Sequence, residues 1–276
     1  MHYLCLHGAI GNIDVCGKLS VWSITTNSRI SHRISVSSWV RSTEIDFHSP
    51  APLQKELDSD NIKFNYINGP VQITPPPGFA EYFGVGPHYR WTDDGGAAED
   101  SLISRVRQIP VGDNSEDIMR NLIGDREIVW LNHQQVMDYL YDTLEKDPEI
   151  GGIIGYSEGA GIAATFILDE QRREKEEGRP RRIKSAVFVT GWPPVIPGRG
   201  LILADEQEDM VDVPSLHVVG ANDPFRHGAF ALYNICDPDT AIFFDTGKGH
   251  TIPRSGKVIT ELGDAVRQLV AAGDEC

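Results

Sequence analysis

Gly155-Tyr156-Ser157-Glu158-Gly159 is the stretch of this chain whose residue types and spacing point most directly to chemistry. G-x-S-x-G is the pattern of a nucleophile elbow, in which a strand turns sharply into a helix with the Ser at the apex. The glycines have a steric task, because a Cβ two residues before or after the strained apex would press on the packed backbone. The turn lifts the Ser157 hydroxyl off the main chain. It aims the first N–H groups of the helix, Glu158 first, at an oxygen bound nearby. A Ser hydroxyl is a poor nucleophile until a base takes its proton. A His, titrating near neutrality, can do that, and an Asp fixes its tautomer and stabilises the imidazolium. His250, in Gly247-Lys248-Gly249-His250, and Asp223, in Gly220-Ala221-Asn222-Asp223-Pro224, fit those two roles. His7 competes as the base, although its place suits packing better. Asp237, Asp239 and Asp245 compete less well as the acid.

A lone G-x-S-x-G arises often by chance, so the elements around it must confirm it. Ile153 and Ile154 suit a buried strand before the Ser, and Ala163, Ala164, Phe166, Ile167 and Leu168 suit a buried helix after it. Tyr3 to Leu6 reads as a first, central strand running into His7-Gly8-Ala9-Ile10. The N–H of Ala9 or Ile10 is the candidate second oxyanion donor, beside that of Glu158. Ile62 to Ile67, Ser185 to Thr190, Pro214 to Gly220 and Thr240 to Phe244 read as further strands. Val129 to Lys146, with Val136, Leu140 and Leu144 in an i, i+4 stripe, and Lys257 to Ala271 read as amphipathic helices. Strands alternating with helices predict an α/β protein with a mostly parallel central sheet and helices on both faces. Asp223 and His250 each follow a separate strand. The order Ser157, Asp223, His250 is that of the α/β-hydrolase fold, not that of chymotrypsin or subtilisin.

Other stretches are less regular. Pro and Gly in Thr74 to Trp91 argue against a regular element. Its aromatics, with Trp192, offer a candidate substrate wall of Tyr82, Phe83, Tyr89, Trp91 and Trp192, or else they cap the core. Asp93 to Asp125 is polar and acidic and reads as mobile surface, so 74–125 is expected to form pocket-wall and lid-like loops. Ser20 to Ser42 is rich in Ser and β-branched residues without clean periodicity. It reads as an insertion, or as a surface loop or distorted helix. The charge run Gln171 to Lys184 reads as a solvated helix end, with docking of an acidic partner as the alternative.

The 276 residues suffice for one α/β domain spanning 1–276. A net charge of −15 disfavours nucleic acid and anionic membrane surfaces as partners. No apolar run reaches the ~18 residues of a membrane span, and no signal peptide is read at the start. The four cysteines lack metal spacing and are expected to be free thiols in a cytoplasmic protein. No G-x-G-x-x-G with an acidic ribose ligand follows a strand, so neither a dinucleotide nor any other cofactor or metal is implied.

Taken together, LCLHG-x-x-GN, NGP followed by P-x-PG, the aromatic stretch ending at Tyr89 and Trp91, GYSEGA, GANDP and GKGH resemble the fungal serine hydrolase (FSH) family over most of the chain. The resemblance implies an α/β-hydrolase fold with little or no separate cap, a triad of Ser157, Asp223 and His250, and esterase or thioesterase activity. Many members look like enzymes of fungal secondary metabolism that release or trim polyketide acyl chains. The substrate implied is an apolar acyl ester or thioester, free or carrier-bound. A general small-ester or lactone hydrolase and a non-catalytic binding protein are the alternatives. Two departures stand out: Ser20 to Ser42 is unlike the family's first helix, and Glu158 stands where Gln is usual.

Overall fold

The structure, a computed structural model, describes residues 1–9, 52–74, 86–95, 109–125 and 127–275. Among them, six strands form one parallel sheet in the order β10-β9-β6-β5-β1-β2. These are β1 (His2–Leu6), β2 (Lys63–Ile67), β5 (Ile150–Tyr156), β6 (Ser185–Val189), β9 (Ser215–Val219) and β10 (Ala241–Asp245). Two short antiparallel pairs stand apart from it: β3 (Val71–Ile73) with β4 (His88–Arg90), and β7 (Val195–Ile196) with β8 (Gly200–Leu201). The helices are α1 (Pro52–Glu56), α2 (Ser115–Ile123), α3 (His133–Lys146), α4 (Glu158–Glu177), α5 (Arg226–Asn234) and α6 (Lys257–Glu275).

The inner strands are apolar at nearly every position because both faces are covered, and the period of two sends alternate residues to opposite layers. Leu4, Leu6, Ile153, Ala186 and Phe188 pack with Val136 and Leu140 of α3 and with Ala163 and Ile167 of α4. Tyr3, Cys5, Val187, Val189, Leu216 and Val218 pack on the other face, with Leu53 of α1 and Leu262, Val266 and Leu269 of α6. This is the α/β-hydrolase fold that the element order predicts. β1 is flanked on both sides, by β5 and β2.

The parallel register brings the strands' carboxyl ends to one edge. Tyr156 lies opposite Val189, and Val189 opposite Val218. Whatever follows β5, β6, β9 and β10 therefore meets at that edge, the position at which ligands bind in open α/β sheets.

Several expectations are corrected here. Asp93 to Asp125 is not all irregular: α2 occupies Ser115–Ile123, with Ile118, Met119 and Leu122 buried. Asn114 Oδ1 caps it by accepting from Asp117 N–H (2.8 Å), and acidic residues in its first turn suit the helix dipole. Thr74 to Trp91 does include a regular element, β4, which pairs with Val71–Ile73. α3 starts at His133, four residues inside the predicted start, and α6 runs on to Glu275. The expectation for Ser20 to Ser42 falls outside the described residues, as do those for Ile10, Tyr82 and Phe83.

Candidate active site

Ser157 occupies the N-cap position of α4, where a Ser usually bonds back to a helical N–H. Here it does not: its φ is 53° and its ψ −115°, and its side chain makes no capping bond. A positive φ at a residue with a Cβ is strained. Two features hold it. Ser157 N–H donates to Val189 O (2.9 Å), and the flanking glycines admit a tight crossing. A Cβ on Gly155 would overlap Gly159 O and Ala160 Cα, and one on Gly159 would lie 2.5 Å from Leu6 O and 2.6 Å from His7 O. The elbow is therefore wedged between β6 and the end of β1, with its hydroxyl left free.

The candidate acid and base lie in the turns after β9 and β10. Asp223 is fully buried, and its Oδ1 accepts Phe225 N–H (2.8 Å). This Asx-type turn leaves the other oxygen to the imidazole. His250 Nδ1 lies 2.8 Å from Asp223 Oδ2, with the His side chain only 12% exposed. A buried carboxylate without a partner would be costly, so its pairing with Nδ1 fixes the proton there and leaves Nε2 as the basic nitrogen. The ring is held edge-on to Phe225 (5.0 Å between centroids) and beside Tyr156 (5.4 Å), whose hydroxyl donates to His250 O (3.0 Å).

The competitors are otherwise engaged. Asp245 Oδ1 accepts the N–H groups of Ala221 (3.0 Å) and Gly247 (2.8 Å), tying the acid turn to the His250 turn. Asp237 Oδ1 accepts Asp239 N–H (3.0 Å) in a turn ahead of β10. His7 Nε2 accepts Gly69 N–H (2.9 Å), so its proton sits on Nδ1, 2.6 Å from Gly8 O. Burial lowers the His7 pKa, against smaller opposing effects of Gly8 O and Glu158. His7 is thus a neutral packing residue with no free nitrogen for catalysis.

Of the oxyanion donors expected from sequence, Glu158 and Ala9 lie within the described residues and Ile10 does not. Glu158 opens α4, and its N–H is among the unpaired donors of a helix start. The loop after β1 lies against the nucleophile, since a Cβ on Gly8 would sit 3.3 Å from Ser157 Cβ. Ala9, next along it, is half-buried.

A family model described as Serine hydrolase (FSH1) matches residues 40–262, which hold Ser157, Asp223 and His250. The chain belongs to the FSH1 serine hydrolase family. Curated proteins similar to it include a hydrolase, phiM, of a fungal species, 27% identical over 49% of this chain and 66% of the relative. Family of serine hydrolases 2 of Saccharomyces cerevisiae is 29% identical over 49% of this chain and 61% of the relative. Thioesterase FSL2 of Gibberella zeae is 22% identical over 74% of this chain and 79% of the relative. The chain thus spans less than two thirds of the length of the first two. Among solved structures it is similar to a Bacillus cereus carboxylesterase (16% identity, TM-score 0.43, covering 97% of this chain and 87% of that one). It is also similar to a monoacylglycerol lipase of Paleococcus ferrophilus (12%, TM-score 0.46, 98% and 94%).

In this FSH1 family member the aromatic wall expected from sequence divides. Trp91 is fully buried in the core, and its indole N–H donates to His7 O (2.9 Å). It offers no face to a ligand, which is the core-capping alternative for these aromatics. Tyr89 is half-buried on β4. Trp192 is half-buried against the cluster of Met119, Leu122, Leu201, Leu203 and Ala231, and its ring lies 3.2 Å from where a Cβ on Gly228 of α5 would stand. Phe225 and Tyr156, which hold the imidazole, were not singled out in the sequence; Phe225, two residues past the acid, was the one open to inference.

The charge run is the solvated helix end that its first reading expects, not the docking rim given as the alternative. It lies at the far end of α4, with Arg172 roughly 22 Å along the axis from Ser157 at 1.5 Å per residue. Its charges are largely spent internally: Arg172 on Asp169 (2.7 Å) and Glu176 (2.8 Å), Arg179 on Glu177 (2.8 Å), and Arg181 on Asp212 (2.8 Å). It is not a rim around the site.

Proposed function

We propose that the chain is a serine esterase or thioesterase that cleaves an ester or thioester of an apolar acyl group. The observation that carries this reading is the Ser157 apex, strained at φ 53° with a hydroxyl that caps nothing. A Ser kept for capping would adopt the relaxed conformation and bond to the helix. Ser157 attacks the carbonyl while His250 Nε2 takes its proton, and Asp223 stabilises the imidazolium. The N–H groups of Glu158 and the loop after β1 receive the oxyanion. His250 passes the proton to the leaving alcohol or thiol, giving an acyl-enzyme. Water, deprotonated by the same nitrogen, then releases the acid. The names of the fungal relatives, esterases and a thioesterase among them, support an ester or thioester substrate; the acyl chain proposed for it is of polyketide origin, free or carrier-bound. The buried free thiols Cys5 and Cys236 fit a reducing, cytoplasmic setting.

A fluorophosphonate probe should label the chain at Ser157, and Ser157→Ala should abolish labelling; labelling retained at another residue would overturn the assignment. On p-nitrophenyl esters and acyl thioesters of graded length, kcat/KM should rise about fourfold per carbon until the pocket fills, from ~0.8 kcal/mol per buried CH₂. A rate that peaks on acetyl and falls with each added carbon would replace the apolar-acyl reading with a general small-ester hydrolase.

A further inference from the structure

Glu158 does more than supply a backbone N–H. Its carboxylate is only 14% exposed, and a carboxylate so buried needs donors. It finds three on the segment after β4: Trp91 N–H (3.0 Å), Thr92 N–H (3.3 Å) and the Thr92 hydroxyl (2.6 Å). Arg90 Nε stands 3.9 Å away, within ion-pair range. Trp91 passes the constraint on. It is fully buried, and its indole N–H donates to His7 O (2.9 Å). The His7 ring is fixed at both nitrogens, by Gly69 N–H and Gly8 O. Gly8 in turn lies against Ser157. The bonds thus form a closed circuit from the residue after the nucleophile, through the end of β4, to the loop that leads to the second oxyanion donor.

We propose that Glu158 is a positioning residue for the oxyanion hole: its carboxylate holds Trp91, and Trp91 holds the His7 carbonyl at the root of the donor loop. This rests on the reading of Ser157 as an acyl-transfer nucleophile. An oxyanion donor acts only if it stands within hydrogen-bond distance of the developing charge, so loosening the loop weakens transition-state binding more than substrate binding. A carboxylate suits this clamp because one oxygen accepts from Trp91 while the other accepts from Thr92. A Gln there keeps the first bond through its amide oxygen and can reverse the Thr92 hydroxyl bond by donating to it, losing only the longer bond from Thr92 N–H.

The test uses the full chain as wild type, Glu158→Ala, Glu158→Gln and Trp91→Phe. Reactive sites are counted by fluorophosphonate titration, and kcat and KM for a p-nitrophenyl ester are expressed per titrated site, with Tm recorded beside them. Removing one oxyanion donor outright costs about 10²–10³ in kcat, so a donor that is only loosened predicts a roughly 10- to 100-fold fall in Glu158→Ala and Trp91→Phe with KM nearly unchanged. Glu158→Gln should recover most of that loss. Trp91→Phe keeps an aromatic ring and deletes the N–H, so it carries the test if Glu158→Ala does not fold. Wild-type kcat per titrated site in both substitutions, whatever the Tm, overturns the proposal, as does a loss confined to KM. A wild type that is not labelled at Ser157 overturns the hydrolase reading, and this proposal with it.

Discussion

Gly220→Ala should lower ester turnover by displacing the loop that carries His250. Gly220 follows β9, three residues before Asp223, and a Cβ there would overlap Lys248 O and lie 2.5 Å from Gly249 O. Both are backbone atoms, so neither can swing aside as a side chain would. Nor is the loop free to retreat: Asn222 N–H donates to Lys248 O (3.0 Å), Asn222 Nδ2 to Gly247 O (3.2 Å), and Gly247 N–H to Asp245 Oδ1 (2.8 Å). Relieving the overlap needs a displacement on the order of 1 Å, given carbon contact distances of about 3.5 Å. His250 follows Gly249 directly, so its 2.8 Å contact with Asp223 shifts with the loop. A misplacement of about 1 Å can cost 10²-fold in rate, and overpacking of this kind costs about 1–3 kcal/mol of stability. At roughly 2–4 °C per kcal/mol for a chain of this size, Tm should fall by about 2–12 °C. The matched control is Gly178→Ala. Gly178 has φ 68° with no neighbour within 4 Å of a Cβ, at the distant end of α4. Its left-handed strain costs about 1–2 kcal/mol, so Tm should fall comparably while kcat stays at the wild-type value. Ester turnover per fluorophosphonate-titrated site, measured well below both Tm values, separates the two. Wild-type kcat in Gly220→Ala, or an equal loss in Gly178→Ala, would refute the reasoning.

Three further outcomes are expected. Asp223→Asn should lower kcat by up to about 10⁴ through loss of the imidazole tautomer, whereas Asp245→Asn, whose amide oxygen can still accept from Ala221 and Gly247, should stay within about tenfold; the reverse ranking in steady-state kinetics would reassign the acid. Reversing Arg172, Arg179 and Arg181 to Glu should leave kcat/KM unchanged at low salt for carrier-bound and free acyl substrates alike, because these charges are paired and lie far from Ser157; a selective loss on the carrier-bound substrate would restore the docking role. His217 is fully buried and its pKa is pulled down to about 3 by desolvation, so between pH 6.5 and 3 the unfolded chain binds the extra proton and stability falls as pH falls, by up to about 1.4 kcal/mol per pH unit from this residue. Denaturant titrations of His217→Gln against wild type over that range should show the shallower slope in the variant, and parallel slopes would contradict the assignment.

The candidate triad residues stand out in the sequence because each follows an apolar strand where a glycine-marked turn begins. Ser157, Asp223 and His250 follow β5, β9 and β10 within a few residues, and glycines mark each turn. Strands apolar at nearly every position, and helices with a clear i, i+4 stripe, leave little freedom for the sheet between them. Short elements set among turn residues or charges, without an apolar run of their own, carry too little pattern to compete with the signals around them. β4 sat among prolines and aromatics, and α2 sat in an acidic stretch, although its Asn114 cap and Gly124 terminus were local signals of a helix. α5 was masked in the same way by the turn residues that precede it.

Side-chain partnerships across the chain were beyond a reading by local pattern. Glu158 bonds to Thr92, 66 positions away, and no periodicity announces such a pair. Read locally, the change from Gln to Glu leaves the backbone N–H intact and looks silent. In the fold it places an acceptor-only group against two N–H groups and a hydroxyl, all of which can donate to it. Trp91 follows the same logic. An aromatic among prolines suggests a pocket wall, yet its indole N–H needs an acceptor once buried, and His7 O supplies one at the foot of the oxyanion loop. Glu158, next to Ser157 in sequence, thus reaches the loop after β1 by way of Trp91 and Thr92, which directly follow a strand that the sequence pattern obscured. A substitution at Trp91 or Thr92, distant from Ser157 along the chain, should therefore register in kcat before it registers in substrate binding.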